Sequence, residues 1–439
     1  MGERKRPLVP RLRFPEFQDK GEWEERPLGE VFSFKTTNSY SRDMLNYEKG
    51  SVKNIHYGDI HTKFSTLFDV EVEDVPFINL SVSLEKIKPD SYCVEGDIVF
   101  ADASEDLDDI GKCIEIVNLN NEKLLSGLHT LLARQREEKL RVGFGGYLFK
   151  SNKVRAQIKK ESQGAKVLGI SAGRLAGIQI SFPSDKKEQQ KIADCLSSLD
   201  ELISAQNQKV EALKRYKKGL MQQLFPREGE TIPRLRFQEF RDKGEWSFQQ
   251  LGKLASRCLR KNTKGEYTRV LTNSAEYGVV DQRDYFEKDI ANQGNLEGYY
   301  IIEKGDYVYN PRISKHSPVG PISRNNIGVG ILSPLYTVFR FNISDNDFYA
   351  HYFKSVHWHH YIRQSSSTGA RHDRMSITND ALMGLPLPIA ELKEQQKIAD
   401  CLSSLDELIS AQKQKVDALR RYKKGLMQQL FPVLDESQG

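Results

Sequence analysis

The sequence lacks the features of a membrane or secreted protein. No run of apolar residues approaches the roughly 18 that a membrane-spanning helix needs. The N-terminal segment MGERKRPLVPRLRF has no apolar core of the kind found in secretory signals. Cysteine is scarce, and the five cysteines form an odd number without a CxxC pair, which argues against a disulfide framework. We therefore expect a cytoplasmic protein with no membrane partner.

Motifs for catalysis and cofactor binding are also missing. The sequence contains no GxxxxGK[ST] phosphate-binding loop. Asn310-Pro311-Arg312 is the nearest match to the Asn/Asp-Pro-Pro-aromatic loop of amino-methyltransferases, but it lacks the second proline and the aromatic residue. Residues 357–360 (HWHH) have no cysteine or acidic neighbour, so we interpret them as an aromatic helix surface rather than a metal site. We expect no catalytic residue, cofactor or metal ion in this chain.

Neither sign of charge dominates the composition. The 439 residues include 65 Lys and Arg against 60 Asp and Glu, a formal net charge of +5. Such a mild excess is compatible with nucleic-acid binding without demanding it. A chain of this length usually holds two or three domains.

One long stretch occurs twice, 206 residues apart. Residues 188–226 and 394–432 differ at only three of 39 positions, which are Asn207/Lys413, Glu211/Asp417 and Lys214/Arg420. A repeat of this length divides the protein into two halves.

Each copy of this repeat has the pattern of a single helix. Apolar side chains recur every three or four residues from Ile192 to Leu224, interrupted by Gln206 and Lys217, and this rhythm predicts a coiled-coil seam. One amphipathic helix cannot bury such a stripe alone, so we predict that the two copies pack as an antiparallel pair. Periodicity alone would also suit a generic dimerisation element. The residues assigned to this spacer and partner-binding stripe are Leu199, Ile203, Val210, Leu213, Leu405, Ile409, Val416 and Leu419.

A shorter repeat opens each half. Residues 10–23 and 233–246 are identical at 12 of 14 positions, whereas the blocks that follow, about 27–183 and 250–389, have diverged. Short alternating apolar runs beside turn residues predict many short strands with some helix in both blocks. The predicted fold class is α+β, with two globular blocks joined by two long antiparallel coiled-coil helices in an internal pseudo-twofold repeat. The near-identical helices indicate one task that is performed twice. The diverged blocks attached to them indicate two tasks that differ.

The two repeats, together with residues 55–60 (IHYGDI) and 100–106 (FADASED), resemble the specificity subunit of type I restriction–modification systems. The resemblance covers almost the whole chain. It implies two target-recognition domains, each reading one half of a split double-stranded DNA sequence. It also implies helices that act as a spacer and dock two methylation subunits, which two restriction (motor–nuclease) subunits then join. Catalysis, with S-adenosylmethionine, ATP and Mg, would belong to those partners, so this chain would not be an enzyme.

The resemblance and the repeats together set the expected domain boundaries. They are 1–183 for target-recognition domain 1, 184–226 for the first spacer helix, 227–390 for target-recognition domain 2, 391–432 for the second spacer helix and 433–439 for a C-terminal tail. A coiled-coil adaptor that holds two protein ligands at a fixed separation is the alternative. A self-sufficient methyltransferase is disfavoured by the missing loops.

DNA reading needs donors and acceptors for base edges and cations for phosphates. In the first block we select polar loop residues, which are Lys35, Thr37, Asn38, Tyr40, His56, Tyr57, His61, Lys63 and Lys166. In the second block we select a more basic set, which is Arg257, Arg260, Lys261, Arg312, Lys315, His316, Arg371, His372 and Arg374. Arg312 and Arg371 lead this set because a guanidinium fits guanine O6 and N7 bidentately. For any single residue, an ordinary solvated loop remains the alternative.

Overall fold

The computed structural model describes residues 8–286, 296–368 and 373–433, and of residues 286 and 368 only the backbone. The chain divides into two compact units. The first unit comprises Met1–Asn207 and Lys415–Gly439, and the second comprises Gln208–Gln414. Each unit therefore contains one of the diverged blocks, the beginning of one long helix and the end of the other.

The first unit combines short strands with short helices. Its strands are β1 (Glu24–Pro27), β2 (Phe32–Lys35), β3 (Leu45–Asn46), β4 (Lys53–Ile55), β5 (Leu67–Asp69), β6 (Phe77–Ile78), β7 (Ile98–Ala101), β8 (Ala103–Ser104), β9 (Cys113–Asn118), β10 (Leu124–Ser126), β11 (Thr130–Gln135), β12 (Leu168–Gly169) and β13 (Gln179–Phe182). Its short helices are α1 (Leu28–Val31), α2 (Tyr57–Thr62), α3 (Gly145–Leu148), α4 (Asn152–Glu161) and α5 (Ala172–Gly177).

The main sheet of the first unit has the strand order β2-β11-β7-β9-β5, and a second sheet has the order β10-β4-β6-β3. Strand β7, with the sequence IVFA, is buried along its whole length, as expected for a central strand covered on both faces. One face of β7 contributes Phe100 to the core beneath the long helices, and the other contributes Val99 to a core that includes Ile55 and Leu124. This double burial fixes the loop after β7 relative to both cores.

The second unit repeats this plan with fewer strands in its main sheet, β15-β22-β19-β20. Its strands are β14 (Ser247–Gln250), β15 (Ala255–Arg257), β16 (Leu271–Ser274), β17 (Gly278–Asp281), β18 (Tyr300–Ile302), β19 (Tyr307–Tyr309), β20 (Ile322–Arg324), β21 (Gly330–Leu332), β22 (Thr337–Phe341), β23 (Ser367–Thr368), β24 (Met375–Ser376) and β25 (Pro386–Ile389). Its short helices are α7 (Leu251–Leu254), α8 (Gln282–Phe286), α9 (Asp347–Tyr352), α10 (His359–Gln364) and α11 (Asn379–Met383).

The two long helices are α6 (Lys186–Leu224) and α12 (Leu392–Leu430), each of 39 residues. Both end two residues before a proline, because the residue preceding proline is disfavoured in a helix. In the first unit, Ile192 and Leu196 near the start of α6 share a core with Leu430 at the end of α12. In the second unit, Leu224 at the end of α6 shares a core with Ile398 and Leu402 near the start of α12. Within each unit the two helices therefore run antiparallel, as predicted.

A lysine interrupts the apolar stripe at the same place in both helices and forms an ion pair in each unit. Lys217 of α6 is buried and pairs with Asp406 of α12. Lys423 of α12 pairs with Asp200 of α6. A polar pair at one seam position specifies register because any shift would leave the buried charge unpaired. The predicted fold class is thus confirmed in its two α+β blocks, its two long helices and its repeat.

Candidate nucleic-acid interface

Each block is attached to its long helix by a buried set of three side chains, which we call the latch. In the first unit the latch is Arg13, Trp23 and Glu188. Arg13 donates from Nε to Glu188 Oε1 and from Nη2 to Oε2, both at 2.7 Å, and Trp23 Nε1 donates to Oε1 at 3.2 Å. Arg13 also donates to the carbonyl oxygens of Lys20 and Gly21. A bidentate, desolvated ion pair of this kind stabilises the contact and also fixes the relative orientation of the two side chains.

The latch of the second unit consists of Arg236, Trp246 and Glu394 and joins the same groups, except that the tryptophan donates to the oxygen bound by Nη2 rather than Nε. Arg236 binds both carboxylate oxygens of Glu394 at 2.7 and 2.8 Å, and Trp246 Nε1 donates at 3.1 Å. The short repeat supplies the arginine and tryptophan, and the long repeat supplies the glutamate. The two repeated segments of the sequence are therefore the two halves of one attachment.

A second shared feature is a buried ion pair at the start of a strand of the main sheet, β7 in the first unit and β19 in the second. Buried Asp97 accepts two hydrogen bonds from Arg134 at 2.7 and 2.9 Å, and buried Asp306 accepts two from Arg340 at 2.6 and 3.1 Å. The preceding glycines, at 96 and 305, have φ of +87° and +96°, a conformation that favours glycine. These pairs hold the strand that leads into the exposed loops in the same way in both units.

An aromatic cluster lies where the loops of the first unit converge. Tyr57 is its centre, with ring centroids 4.7 Å from His56, 5.9 Å from His61 and 5.3 Å from His129. His56 is buried, caps α2 by accepting from the Gly58 N–H, and has its pKa lowered chiefly by burial. His61 Nε2 lies 3.0 Å from the Ala103 carbonyl oxygen. The structure therefore brings together three of the predicted residues, His56, Tyr57 and His61.

His129 joins this cluster although it was not predicted. Its φ is +55°, which is uncommon for a residue other than glycine. Its Nδ1 lies 3.2 Å from Asp102 Oδ1 and its side chain is 52% exposed. A histidine held at one ring nitrogen and exposed at the other is suited to reading a base edge, and no local sequence pattern indicates it.

The polar loop after β2 is tied to strands β4, β10 and β11. Asn38 donates from Nδ2 to Asn54 Oδ1 at 2.7 Å and to the Ser126 carbonyl oxygen at 3.1 Å. Thr37 donates to the Thr130 carbonyl oxygen at 3.2 Å. Much of the hydrogen-bonding capacity of these two predicted residues is thus used inside the unit, where it positions the neighbouring loops.

The other predicted residues of the first unit are spread around these loops. Lys35 is half-buried, 3.6 Å from Asp90, and Tyr40 packs against a small core that contains Leu125. Lys63 is exposed and donates to Tyr47 Oη at 2.9 Å. Lys166 is exposed in a turn between Gln163 and Gly169, whose backbones pair with each other.

That turn continues into β12, which pairs antiparallel with β8. The acidic loop after β8 therefore lies beside the segment that carries Lys166. Two of the loop's carboxylates are paired locally, Asp108 with Lys159 and Asp109 with Lys112. The Lys159 ammonium lowers the pKa of Asp108. Local pairing reduces the repulsion that these carboxylates would exert on a phosphate.

In the second unit the corresponding pair of segments is basic. Arg312 and Arg374 face each other in a backbone bridge, and the Ile313 N–H donates to the Asp373 carbonyl oxygen at 2.8 Å. Lys315 and His316 are exposed in the same loop. The structure thus brings four predicted residues, Arg312, Lys315, His316 and Arg374, onto two adjoining segments. Arg371 and His372 lie outside the described residues.

The remaining predicted residues of the second unit form a separate group. Arg257 is half-buried at the end of β15, Arg260 lies 3.6 Å from Glu303, and Lys261 forms a backbone bridge with Tyr300. Because Arg260 already lies near the carboxylate of Glu303, its charge is more fully neutralised than that of Arg312.

The stripe residues of the long helices lie in or beside the seam. Val210, Ile409 and Val416 are buried, and the other five are half-buried, namely Leu199, Ile203, Leu213, Leu405 and Leu419.

Within the described ranges, no group of three or more His, Cys, Asp or Glu residues is placed to hold a metal ion. Residues 357–360 (HWHH) do not form the predicted aromatic helix surface, because Trp358 is buried in the core. Its Nε1 donates to the Phe353 carbonyl oxygen, and its ring packs on that of Phe353. The part of the chain that the structure describes also has no helix with the length and apolar character needed to span a membrane.

Comparison with known proteins relates this architecture to one protein family. The model of a family described as type I restriction modification DNA specificity domain matches residues 20–215 and again residues 245–421. A protein of Methanocaldococcus jannaschii named as the MjaX type I restriction enzyme specificity subunit is 25% identical over 93% of this chain and 93% of its own length. The MjaVIII type I restriction enzyme specificity subunit of the same organism is 23% identical over 67% of this chain and 71% of its own.

Solved structures show the same fold at low sequence identity. The S subunit of a type I restriction-modification system from M. genitalium aligns with a TM-score of 0.54 and 13% identity over 98% of this chain and all of that chain. A chain from a study of assembly and conformational transition of the type I R-M system aligns with a TM-score of 0.56 and 14% identity, covering 93% and 97% of the two chains. Because the family model matches most of the sequence in two successive copies, the chain belongs to the family of type I restriction–modification DNA specificity subunits.

Proposed function

We propose that the chain reads a bipartite DNA target, with one half-site for each unit. The observation that carries this proposal is the combination of identical latches with different exposed loops. Arg13–Glu188 and Arg236–Glu394 have matching geometry, whereas the loop after β8 is acidic and the loop after β19 carries Arg312 and Lys315. Two readers held in the same way but furnished with different side chains suit two different half-sites.

The side chains available suggest how each half-site is read. In the second unit, the guanidinium of Arg312 or Arg374 suits the O6 and N7 acceptors of guanine in the major groove. In the first unit, His129 and Tyr57 offer ring edges, and the carboxylates of the acidic loop suit the N4 donor of cytosine. The exposed lysines supply sequence-independent contacts to phosphates.

We further propose that the chain acts by assembly and does not itself transfer a methyl group. The near-identical helices would present the same surface twice, which favours two methylation subunits per chain, joined by two restriction subunits. S-adenosylmethionine, ATP and Mg would be bound by those partners.

Methylome sequencing of a host that carries the complete system tests the first proposal. A split methylated sequence with two dissimilar halves is expected, and a continuous or palindromic site would contradict it. Native mass spectrometry of the assembled complex tests the stoichiometry. Calorimetry with S-adenosylmethionine and the purified chain tests the division of labour, since measurable binding would contradict it.

A further inference from the structure

A basic cavity of about 400 Å³ lies in the first unit, between the block and the long helices. All of its lining residues belong to this unit. The polar ones are Lys150, Asn152, Asp200, Arg420, Lys423 and Lys424. Four cations therefore face one carboxylate around a space that opens to solvent.

The one carboxylate is already occupied. Asp200 accepts a hydrogen bond from Tyr147 Oη at 2.9 Å and pairs with Lys423. Lys423 also lies over the ring of Tyr147, 5.0 Å from its centroid. Asp200 thus pairs with Lys423, although its charge also reaches Lys150, and the charge of Lys424 reaches Asp108. The cavity still has more cations than carboxylates in its lining.

Lys150, Arg420 and Lys424 are available to an external anion. Arg420 and Lys424 are exposed, and among the described residues neither lies within ion-pair distance of a carboxylate, although the charge of Lys424 reaches Asp108. Lys150 donates to Thr66 Oγ1, and burial lowers its pKa, with Lys423 and Lys112 acting in the same direction against Asp200. A desolvated cation gains from an incoming anion, because an opposite charge nearby favours the charged form that burial disfavours.

The duplicated helix provides an internal comparison. The position of Arg420 is occupied in α6 by Lys214, which pairs with Glu211 at 2.5 Å. The matching pair in α12 is Arg420 and Asp417, whose shorter side chain makes no ion pair with Arg420 in the part of the chain described. These are two of only three differences between the repeats. The substitutions free one guanidinium beside the cavity, and a guanidinium binds phosphate oxygens bidentately.

The cavity is also close to the recognition loops. Lys150 contacts Thr66, which follows the segment containing Tyr57 and His61. Lys112 Nζ lies 3.5 Å from the His61 carbonyl oxygen, and its charge reaches Lys150. Lys112 and Lys150 thus link the surroundings of the aromatic cluster to the cavity, although Lys112 is paired with Asp109.

We propose that this cavity binds a backbone phosphate of the DNA beside the half-site read by the first unit, through Arg420, Lys424 and Lys150. The inference rests on the proposed function and adds a contact that carries no sequence information. It assigns a DNA-binding role to the long helix, in addition to its role in packing.

The test uses the complex of the chain with its methylation subunits. The double variant Arg420→Gln/Lys424→Gln removes two exposed charges from the cavity, and Lys209→Gln/Lys415→Gln removes two exposed charges elsewhere on the same helices. DNA affinity is measured over a series of salt concentrations. For the cavity variant, the slope of log K against log salt should become shallower by about one to two, with the methylated sequence unchanged. The control variant should keep the wild-type slope.

Three other results are informative. A cavity variant with the same slope as the control would overturn the assignment. A variant that no longer assembles with the methylation subunits, but whose purified chain keeps the wild-type salt slope, would assign the cavity to an acidic protein segment and also overturn it. If the wild-type complex showed no preference for any DNA sequence, the proposed function itself would fail, whereas failure of the cavity alone leaves that preference intact.

Discussion

The latches of the two units have the same three residue types and join the same groups, whereas the loops above them differ in charge and in contacts. Arg13 and Arg236 each bind a glutamate within 2.8 Å and two carbonyl oxygens of the following turn. By contrast, the loop after β8 carries Asp106, Asp108 and Asp109, and the matching loop in the second unit carries Arg312 and Lys315.

This contrast shows which parts of the fold tolerate change. A buried ion pair is destabilised strongly when either partner is removed, because the other charge remains desolvated. The latch contains no atom from the exposed loops, so substitutions in the loops leave it intact. A change of recognition therefore needs no change of scaffold.

The largest expected effect is the loss of a latch. Arg13→Ala should destabilise the first unit by about 3–5 kcal/mol, and Arg236→Ala should destabilise the second unit equally. Chemical denaturation with a probe in each unit measures both. Arg11→Ala is the matched control, because Arg11 is exposed in the same repeat and its loss should change stability by less than about 0.5 kcal/mol. Clearly unequal effects of the two latch variants would break the equivalence of the units.

The next effect concerns recognition by the second unit. Arg312→Ala should weaken discrimination at one base pair of its half-site by about 1–3 kcal/mol, since a bidentate contact is lost. Competition binding with single-base variants of the site measures this. The half-site of the first unit should be read as before. A uniform loss of affinity for every sequence would instead identify Arg312 as a phosphate contact.

A matching effect is expected in the first unit at His129. His129→Asn should relax one position of its half-site while keeping a residue that tolerates the φ of +55°. Asp102→Asn should have a smaller effect at the same position, because it only loosens the orientation of the imidazole. If the two variants altered different positions, the pairing of these side chains would not be what reads the base.

The smallest effect is a pH dependence that one buried histidine, His351, gives to the second unit. Burial lowers the pKa of His351 to about 4, and Lys217 and Lys354 act in the same direction against Asp406. The unfolded chain binds this proton with a pKa near 6.5, so stability should rise with pH between about 4 and 6.5. His351 alone should make the second unit less stable at pH 5 than at pH 7 by at most about 2 kcal/mol, and His359, whose pKa burial also lowers to about 4, should add a similar amount.

The variant His351→Gln should remove about half of this slope in denaturation experiments at the two pH values, and His359 should account for most of the rest. The first unit has Tyr147 against its helix carboxylate, and burial raises the pKa of that phenol. This position of the first unit should therefore make no such contribution to the pH dependence. An unchanged slope in His351→Gln would assign the pH dependence to other groups.

The long helices could be predicted from the sequence because their apolar period is local and repeated. The predicted stretch, residues 188–226, differs from α6 by two residues at each end. The antiparallel pairing also followed, since the only matching stripe was the other copy. Whether the predicted DNA-contacting residues bind DNA stays a prediction.

The latch and the position of His129 could not be predicted in this way. Arg13 and Glu188 are 175 residues apart, and no local pattern links them. The available signal was indirect, since both repeats kept an arginine, a tryptophan and a glutamate while the intervening blocks changed. The left-handed backbone conformation of His129 depends on the folded surroundings of the residue. A histidine in the sequence does not predict it.

The first unit is built from two separate segments of the chain, and this has a consequence for protein synthesis. The first unit closes its core with Phe431, whose ring lies 6.0 Å from that of Trp23, whereas the second unit is complete by Gln414. At about 5–20 residues per second, the ribosome takes on the order of tens of seconds to travel from the first block to Phe431. During that interval the apolar face around Trp23 and Phe144 lacks the native cover that the end of α12 and Phe431 supply. The unit that is made first is therefore finished last, and a nascent chain stalled before Phe431 would present that face to chaperones.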